Sequence, residues 1–450
     1  MSLLRYPEYK DSGVAWLGDA PAHWLVKRIR VVAELNPSKS EISELRRESE
    51  VTFLPMEAIG DDGSLNLDRT RPIAEVENGY TYFRDGDVTI AKITPCFENG
   101  KGALMKGLCG GIGFGTTELI VARPRSTHVT DEYLNWIFRS PDFRSNGEAS
   151  MYGAGGQKRV PDDFVRNFAL AFPPLDEQTA IATFLDRETA KIDGLIAEQE
   201  KLLTLLAEKR QATISHAVTK GLNPDAPMKD SGVACLGEVP AHWGVSPLKF
   251  LVSFSSGGTP SKDNRSYWDG DVPWASAKDL KVEILSDTAD HITQHALEAG
   301  AASLLPTDTV LVVVRGMILA RTFPVTQIAV PMAINQDLKG LVPNSMMNAR
   351  FLVWLLRGSA DQTLQRLDEA GHGTKALRMD AWSSMQLPLP PKLEQTTIAD
   401  FLTREASRLD ALTAEATRGI ALLKERRSAL ISAAVTGKIG VRHLVETEAA

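Results

Sequence analysis

The sequence predicts an α+β protein: two mixed, strand-rich bodies joined by two long antiparallel coiled-coil helices, built as an internal tandem repeat with pseudo-two-fold symmetry. Three observations carry this expectation. The segment KDSGVAWLGDAPAHW (Lys10–Trp24) returns as KDSGVACLGEVPAHW (Lys229–Trp243), 219 positions later, with twelve of fifteen residues identical. PPLDEQTAIATFLDRE, from Pro173, returns as PPKLEQTTIADFLTRE, from Pro390, 217 positions later. After each of these second segments, apolar residues recur at helical spacing for some forty residues, until Ala217–Thr219 and Ala434–Thr436. Agreement of this length marks a duplication, and duplicated helices with a shared apolar stripe pair with each other.

Taken in order, residues 1–24 form the first copy of the repeated N-terminal segment and residues 25–172 the first body. Runs such as VTFLPM, DVTIAKI and ELIVA read as strands, interrupted by a short helix at Asp131–Arg139. Residues 173–245 hold the first long helix, expected from Glu177 to Thr219, and the second copy of the N-terminal segment. The double prolines at Pro173–Pro174 and Pro390–Pro391 suit helix entrances. Ile181, Leu185, Ile192, Leu195, Leu202, Leu206 and Ile214 form its stripe, with Gly221 just past its end. Residues 246–389 are the second body, with strands in DTVLVVV and QIAV, a helix near Asn348–Arg357 and a glycine-rich turn at Ser255–Asn264. Residues 390–440 repeat the helix, with Ile398, Leu402, Leu409, Leu412, Leu423 and Ile431 as its stripe and Gly437 beyond; 441–450 is a tail. The bodies keep the repeat offset but diverge. TTELIVARP (Thr116–Pro124) aligns with NQDLKGLVP (Asn335–Pro343), YLNWIFRS (Tyr133–Ser140) with FLVWLLRGS (Phe351–Ser359), and Gly153–Gly155 with Gly371–Gly373.

The totals exclude several classes. The composition, 43% hydrophobic and 24% charged, is that of an ordinary globular protein. No apolar stretch approaches the ~18 residues of a membrane span, and the start lacks a signal-peptide core, so no membrane role and a cytoplasmic location are expected. Three scattered cysteines, Cys96, Cys109 and Cys235, make neither a disulfide framework nor a zinc site. A net charge of −7 argues against indiscriminate coating of nucleic acid but permits local basic clusters. No catalytic constellation assembles: there is no GxxxxGK[ST] loop and no glycine-rich methyltransferase loop. His23 and His242 have no ligand-spaced partners, so the PAHW segments are expected to be structural, and no catalytic or metal-binding residue is assigned.

The duplicated PPLxEQxxIxxFLDRE segments and their helices, the WLGxxPxHW segments, AKITPCFENGK (Ala91–Lys101) and SGGTPSKDNRSYWDGDVPWAS (Ser256–Ser276) resemble the specificity subunits of type I restriction–modification enzymes. The resemblance spans essentially the whole chain. It implies that each body is a target-recognition domain reading one half of a split, asymmetric site on double-stranded DNA. The helices would set the spacing and dock two modification (methyltransferase) subunits, to which two restriction (translocase/nuclease) subunits add. S-adenosylmethionine, ATP and Mg would then belong to those partners, with no cofactor and no catalysis in this chain. Two other classes stay open on the residues alone: a fused or solitary DNA methyltransferase or nuclease, and a coiled-coil adaptor without DNA specificity.

Candidate DNA contacts follow from side-chain chemistry, since cations neutralise phosphates while Asn, Gln, Arg and Lys read base edges. In the first body these are Lys92, Thr94, Asn99 and Lys101, with Lys106 nearby, and Tyr152, Gln157, Lys158 and Arg159 in the glycine-rich loop. In the second they are Thr259, Ser261, Lys262, Tyr267, Arg315, Arg321, Asn335, Gln336 and Lys375. Tyr267, Trp268 and Trp274 suit a core better than a stacking platform.

Overall fold

The computed structural model describes residues 5–154, 156–369 and 374–441. Gly155, the Gly371–Gly373 triplet and residues 442–450 of the tail lie outside the described residues. The chain divides into two compact units, residues 1–199 with 418–450, and residues 200–417. Mixed helix and strand, two strand-rich domains and a pair of long helices are present as the repeat implied.

In the first unit a four-stranded antiparallel sheet runs in the order Ala33–Leu35, Leu119–Pro124, Val88–Ala91, Gly102–Leu104. A second sheet orders Thr70–Pro72, Glu50–Leu54, Ile112–Gly115 and Thr81–Arg84, with Glu50–Leu54 and Ile112–Gly115 parallel. In the second unit the main sheet runs Val252–Ser256, Leu338–Pro343, Val310–Val313, Val325–Ile328, plus a parallel edge strand, Ile284–Leu285. The repeat is visible in register. Leu119 faces Ala91 and Ala122 faces Val88; Leu338 faces Val313 and Leu341 faces Val310. The two bodies therefore share a central sheet although their surface residues differ. These central strands carry side chains buried on both faces, as in Val88–Ala91 and Val310–Val313, which explains their continuous apolar runs.

The first long helix spans Leu175–Lys220, starting two residues before the expected Glu177 and ending one after Thr219. The second spans Lys392–Val435. At ~1.5 Å per residue, the first is roughly 70 Å long. Within the first unit Arg427 grips Asp193 bidentately at 2.8 and 3.2 Å; within the second Arg210 pairs with Asp410. In each pair the C-terminal half of one long helix meets the N-terminal half of the other, as antiparallel packing requires. The expected stripe needs correction at three places: Leu195, Leu202 and Leu412 are 48%, 41% and 42% exposed. The buried seam instead uses Ile192, Ile196 and Leu206 on one helix and Leu409, Ala416 and Ile420 on the other. A straight helix drifts relative to a strict seven-residue repeat, so a neighbour takes over the inward position.

The repeated motifs explain how each body is fixed to its helix. Glu177 accepts Trp24 Nε1–H at 3.2 Å and lies 2.8 Å from His23 Nε2. Glu394 holds Trp243 and His242 in the same way, at 3.1 and 2.8 Å. The PAHW segments are thus structural. Beside each glutamate, a fully buried glutamine bonds three backbone groups. Gln178 accepts Thr130 N–H and donates to the carbonyls of Pro173 and His128. Gln395 accepts Asn348 N–H and donates to Pro390 and Met346. Thr130 and Asn348 are the N-caps of the body helices Asp131–Arg139 and Ala349–Gly358, whose inner faces bury Trp136 and Trp354. The Glu-Gln pair therefore joins three elements: the N-terminal segment, the helix entrance and the body helix. Gly221 and Gly437 end the long helices at φ +77° and +73°, where a side chain would strain. A Cβ on Gly437 would also lie 2.5 Å from Pro21.

Candidate nucleic-acid interface

In the first unit the strand Val88–Ala91 ends at an apex assembled from three segments. Lys92 N–H donates to Glu118 O at 2.8 Å, Thr94 N–H to Lys158 O at 2.9 Å, and Val160 N–H to Lys92 O at 2.8 Å. Arg159 bridges both Ile93 and Tyr152. The two sequence clusters, Lys92–Lys101 and Tyr152–Arg159, are consequently parts of one surface. The Arg159 guanidinium forks onto Glu118 at 2.7 and 3.0 Å, and that hydrogen bonding holds the Glu118 carboxyl below its usual range. A concavity lies between Lys92, Tyr152, Arg159 and Asp162, and a second between Lys92, Asn36, Lys39 and Tyr80, so Lys92 stands on the ridge they share.

The individual candidates differ in what they offer. Gln157, Lys158 and Tyr152 are exposed, Tyr152 at 65%. Asn99 is exposed on the turn after Pro95, while Thr94 Oγ1 donates to Glu98 at 2.9 Å. Lys101 turns inward, its ammonium 2.7 Å from Ile59 O and 3.2 Å from Met56 O. Lys106 pairs with Glu132 at 2.7 Å, at the start of the body helix.

The second unit repeats the apex on the same backbone rungs. Val314 N–H donates to Asp337 O and Leu377 N–H to Val314 O, both at 2.8 Å. Arg315 faces Ala376 and Gly316 faces Lys375. Lys375 thus occupies the place of Lys158, and Asp337 that of Glu118. Lys375 is 2.5 Å from Glu369, whereas Arg315, Arg321, Lys262 and Gln336 are exposed. The glycine-rich turn packs against this apex. Gly258 N–H donates to Ile334 O at 2.9 Å, Trp274 Nε1–H to Gly258 O at 3.0 Å, and Trp268 Nε1–H to Ser261 O at 3.1 Å. The Thr259 hydroxyl donates to Gln336. A Cβ at Gly257 would sit 2.1 Å from Asn335 O, so only glycine permits this approach. Asn335 is 8% exposed and its Oδ1 accepts Asp337 N–H at 3.1 Å, shaping the turn from inside. Tyr267 and Trp268 are half-buried against a small cluster containing Trp274 and Ile292.

Several residues at these apices escaped the sequence reading. Glu118 and Asp337 were already aligned by the repeat, so their common place could have been read from it. Lys39, in the turn Lys39–Ile42, and Tyr80, just before the strand Thr81–Arg84, come from two segments with no repeat signal. Arg144 is 8% exposed and donates to Phe97 O and Gly100 O at 2.9 and 3.0 Å, with its guanidinium 4.9 Å from the Phe97 ring. Burial lowers its pKa to about 10. It props the turn carrying Asn99, a role sequence could not reveal. Among the described residues, no group of three or more His, Cys, Asp or Glu is placed to hold a metal ion, and no helix is long and apolar enough to cross a membrane.

The two bodies differ in surface residues but repeat one apex geometry, so the chain is a duplicated α+β scaffold with two long helices. Residues 240–420 match the family model for the type I restriction modification DNA specificity domain. The type I restriction enzyme EcoAI specificity subunit of Escherichia coli is 43% identical over 194 residues, which cover 43% of this chain and 32% of that protein. The EcoEI specificity subunit of the same organism is 40% identical over 199 residues, 42% of this chain and 33% of that one. Those alignments span about a third of the length of the two relatives. A putative MjaX specificity subunit of Methanocaldococcus jannaschii is 20% identical over 98% of this chain and 99% of its own. Among solved structures, a chain from work on assembly and conformational transition of the type I R-M system superposes with TM-score 0.74 at 17% identity, covering 92% of this chain and 98% of that one. The HsdS subunit from Thermoanaerobacter tengcongensis superposes with TM-score 0.57 at 17% identity, covering 93% and 98%. At that identity the structural likeness speaks for the fold. The resemblance to type I restriction–modification specificity subunits is borne out.

Proposed function

We propose that this chain reads a split, asymmetric DNA site, one half per unit, as the non-catalytic specificity subunit of a cytoplasmic type I restriction–modification complex. Residues 25–172 and 246–389 act as the two target-recognition domains, and residues 173–245 and 390–440 as the spacer and dock. Two modification subunits bind the helices and two restriction subunits join them. S-adenosylmethionine, ATP and Mg are used by those partners.

One observation carries this reading: Lys158 and Lys375 stand on equivalent backbone rungs, in apices whose surrounding side chains differ. A common scaffold with changed surface chemistry suits two readers of different base sequences. The exposed cations there, Lys158, Arg315 and Arg321 among them, would meet phosphates, with Asn99, Gln157, Thr259 and Gln336 nearer base edges. The net charge of −7 is compatible because the cations are local.

Selection of duplexes from a random-sequence pool by the full chain, assembled with modification subunits, tests the reading. Two fixed blocks separated by a fixed gap are expected; one block, or none, contradicts it. Incubating the isolated chain with DNA and labelled S-adenosylmethionine should leave the DNA unlabelled, and transfer of label would make the chain itself the methyltransferase.

A further inference from the structure

The turn that follows the strand Val310–Val313 repeats the turn after Val88–Ala91, but its chemistry has changed. Leu319 is 1% exposed and fills the inward place that Phe97, 0% exposed, fills in the first unit. Two residues before each of these, the chain reaches its outer point: Pro95 in the first unit, Met317 in the second. Met317 is 73% exposed and Ile318 beside it 37%. Gly316, at φ +149°, allows the backbone to turn outward there. Arg315 and Arg321 flank the pair, both exposed. Neither guanidinium has an ion-pair partner among the described residues. Lys375 stands opposite Gly316 on the adjoining strand.

An exposed apolar tip between two unpaired arginines is a poor match for water and a good match for a polyanion with an apolar interior. Base pairs are apolar on their faces and phosphate-lined outside. Proteins that press Met, Ile, Leu or Phe against a base step unstack it and kink the duplex, while cations hold the backbone on either side.

We propose that Met317, supported by Ile318, is an apolar wedge that the second unit drives against the base stack of its half-site, with Arg315 and Arg321 on the neighbouring phosphates. The first unit carries Thr94-Pro95-Cys96 at the equivalent turn and reads its half without a wedge. The DNA is therefore distorted on one side only. Pyrimidine–purine steps, which unstack most readily, are favoured where the wedge enters. This inference rests on the reading of both apices as DNA-facing.

The test uses the full chain with a duplex it has selected from a random-sequence pool, carrying 2-aminopurine at successive positions through both half-sites. The wedge predicts a fluorescence rise at one step of the second half-site, no rise in the first, and a shortened end-to-end distance by energy transfer. Met317→Ala should abolish both signals and weaken binding about tenfold, equivalent to ~1.4 kcal/mol. Met317→Leu should retain them. Because Met317 is largely exposed, the unfolding midpoint of either variant should match the parent. Unchanged fluorescence and bending in Met317→Ala overturn the proposal. So does a variant that keeps its DNA signals but loses a protein partner, which would make the tip a protein-docking feature. If the chain selects no duplex, the DNA reading fails and the wedge with it; if it selects one that shows no unstacked step, only the wedge falls.

Discussion

Removing the side chain of Gln178 should loosen the first body from its helix without touching the apex. The amide is fully buried and makes three hydrogen bonds, accepting Thr130 N–H at 2.9 Å and donating to His128 O at 3.0 Å and Pro173 O at 2.9 Å. Gln178→Ala leaves these backbone groups without their partner. At ~1 kcal/mol for each net hydrogen bond, the loss is about 3 kcal/mol, more where a group stays dry. In a unit of this size that lowers the unfolding midpoint by roughly 6–12 °C. Two units need not melt together, so the change should be followed by amide exchange as well as by calorimetry. Thr130 caps the body helix through its hydroxyl to Tyr133 N–H. Exchange at Thr130 and Tyr133 should accelerate, while amides of the second unit stay protected. Gln178→Glu keeps an acceptor for Thr130 but loses both donated bonds, so it should cost about 2 kcal/mol or more. A loss below about 1 kcal/mol in Gln178→Ala, with unchanged protection at Thr130, would refute the junction argument.

Further perturbations separate the apices, the spacer and the core. Lys158→Ala should reduce the salt dependence of DNA binding by about 0.9 in the log–log slope if its ammonium neutralises one phosphate; Lys101→Ala should leave that slope unchanged, because its ammonium already serves two carbonyls. Inserting four residues within Lys201–Lys209, matched in the second helix, adds ~6 Å and should widen the gap between half-sites while keeping their sequences, as read by methylation mapping. Tyr82 is pushed up to about 12, by burial first and then by its hydrogen bond to Glu41. Its neutral form is favoured in the folded state, so its contribution to stability is complete below the unfolded value of ~10 and is lost as pH rises toward 12. A phenolate titration at 295 nm should lack that late step in Tyr82→Phe.

Much of the architecture was legible because it is written in local, repeated patterns. Pro173–Pro174 and Pro390–Pro391 mark helix entrances, and Gly221 and Gly437 mark the ends, since each acts through its own backbone geometry. Strands such as Val310–Val313 could be read from unbroken apolar runs. The seam was legible only approximately: Leu195 and Ile196 are adjacent, and a small phase drift decides which one is buried. The apex was legible as chemistry but not as assembly. Lys92 and Lys158 are far apart in sequence and meet through the pairing of Thr94 with Lys158, a long-range contact no spacing announces. The inward turn of Lys101 and the buried prop at Arg144 likewise depend on which carbonyls lie within reach. Glu177-Gln178 and Glu394-Gln395 recur within the repeated segments, but their reason lies in contacts with Trp24, Thr130, Trp243 and Asn348 that are distant in sequence.

The central claim is that two units with one scaffold read two different half-sites independently. It is tested most directly by replacing residues 25–170 with the first body of a relative, keeping both long helices, and mapping methylated sites in the assembled complex. One half-site should change to the relative's sequence, while the other half-site and the gap stay as they were. A change in both half-sites, or in neither, would contradict it.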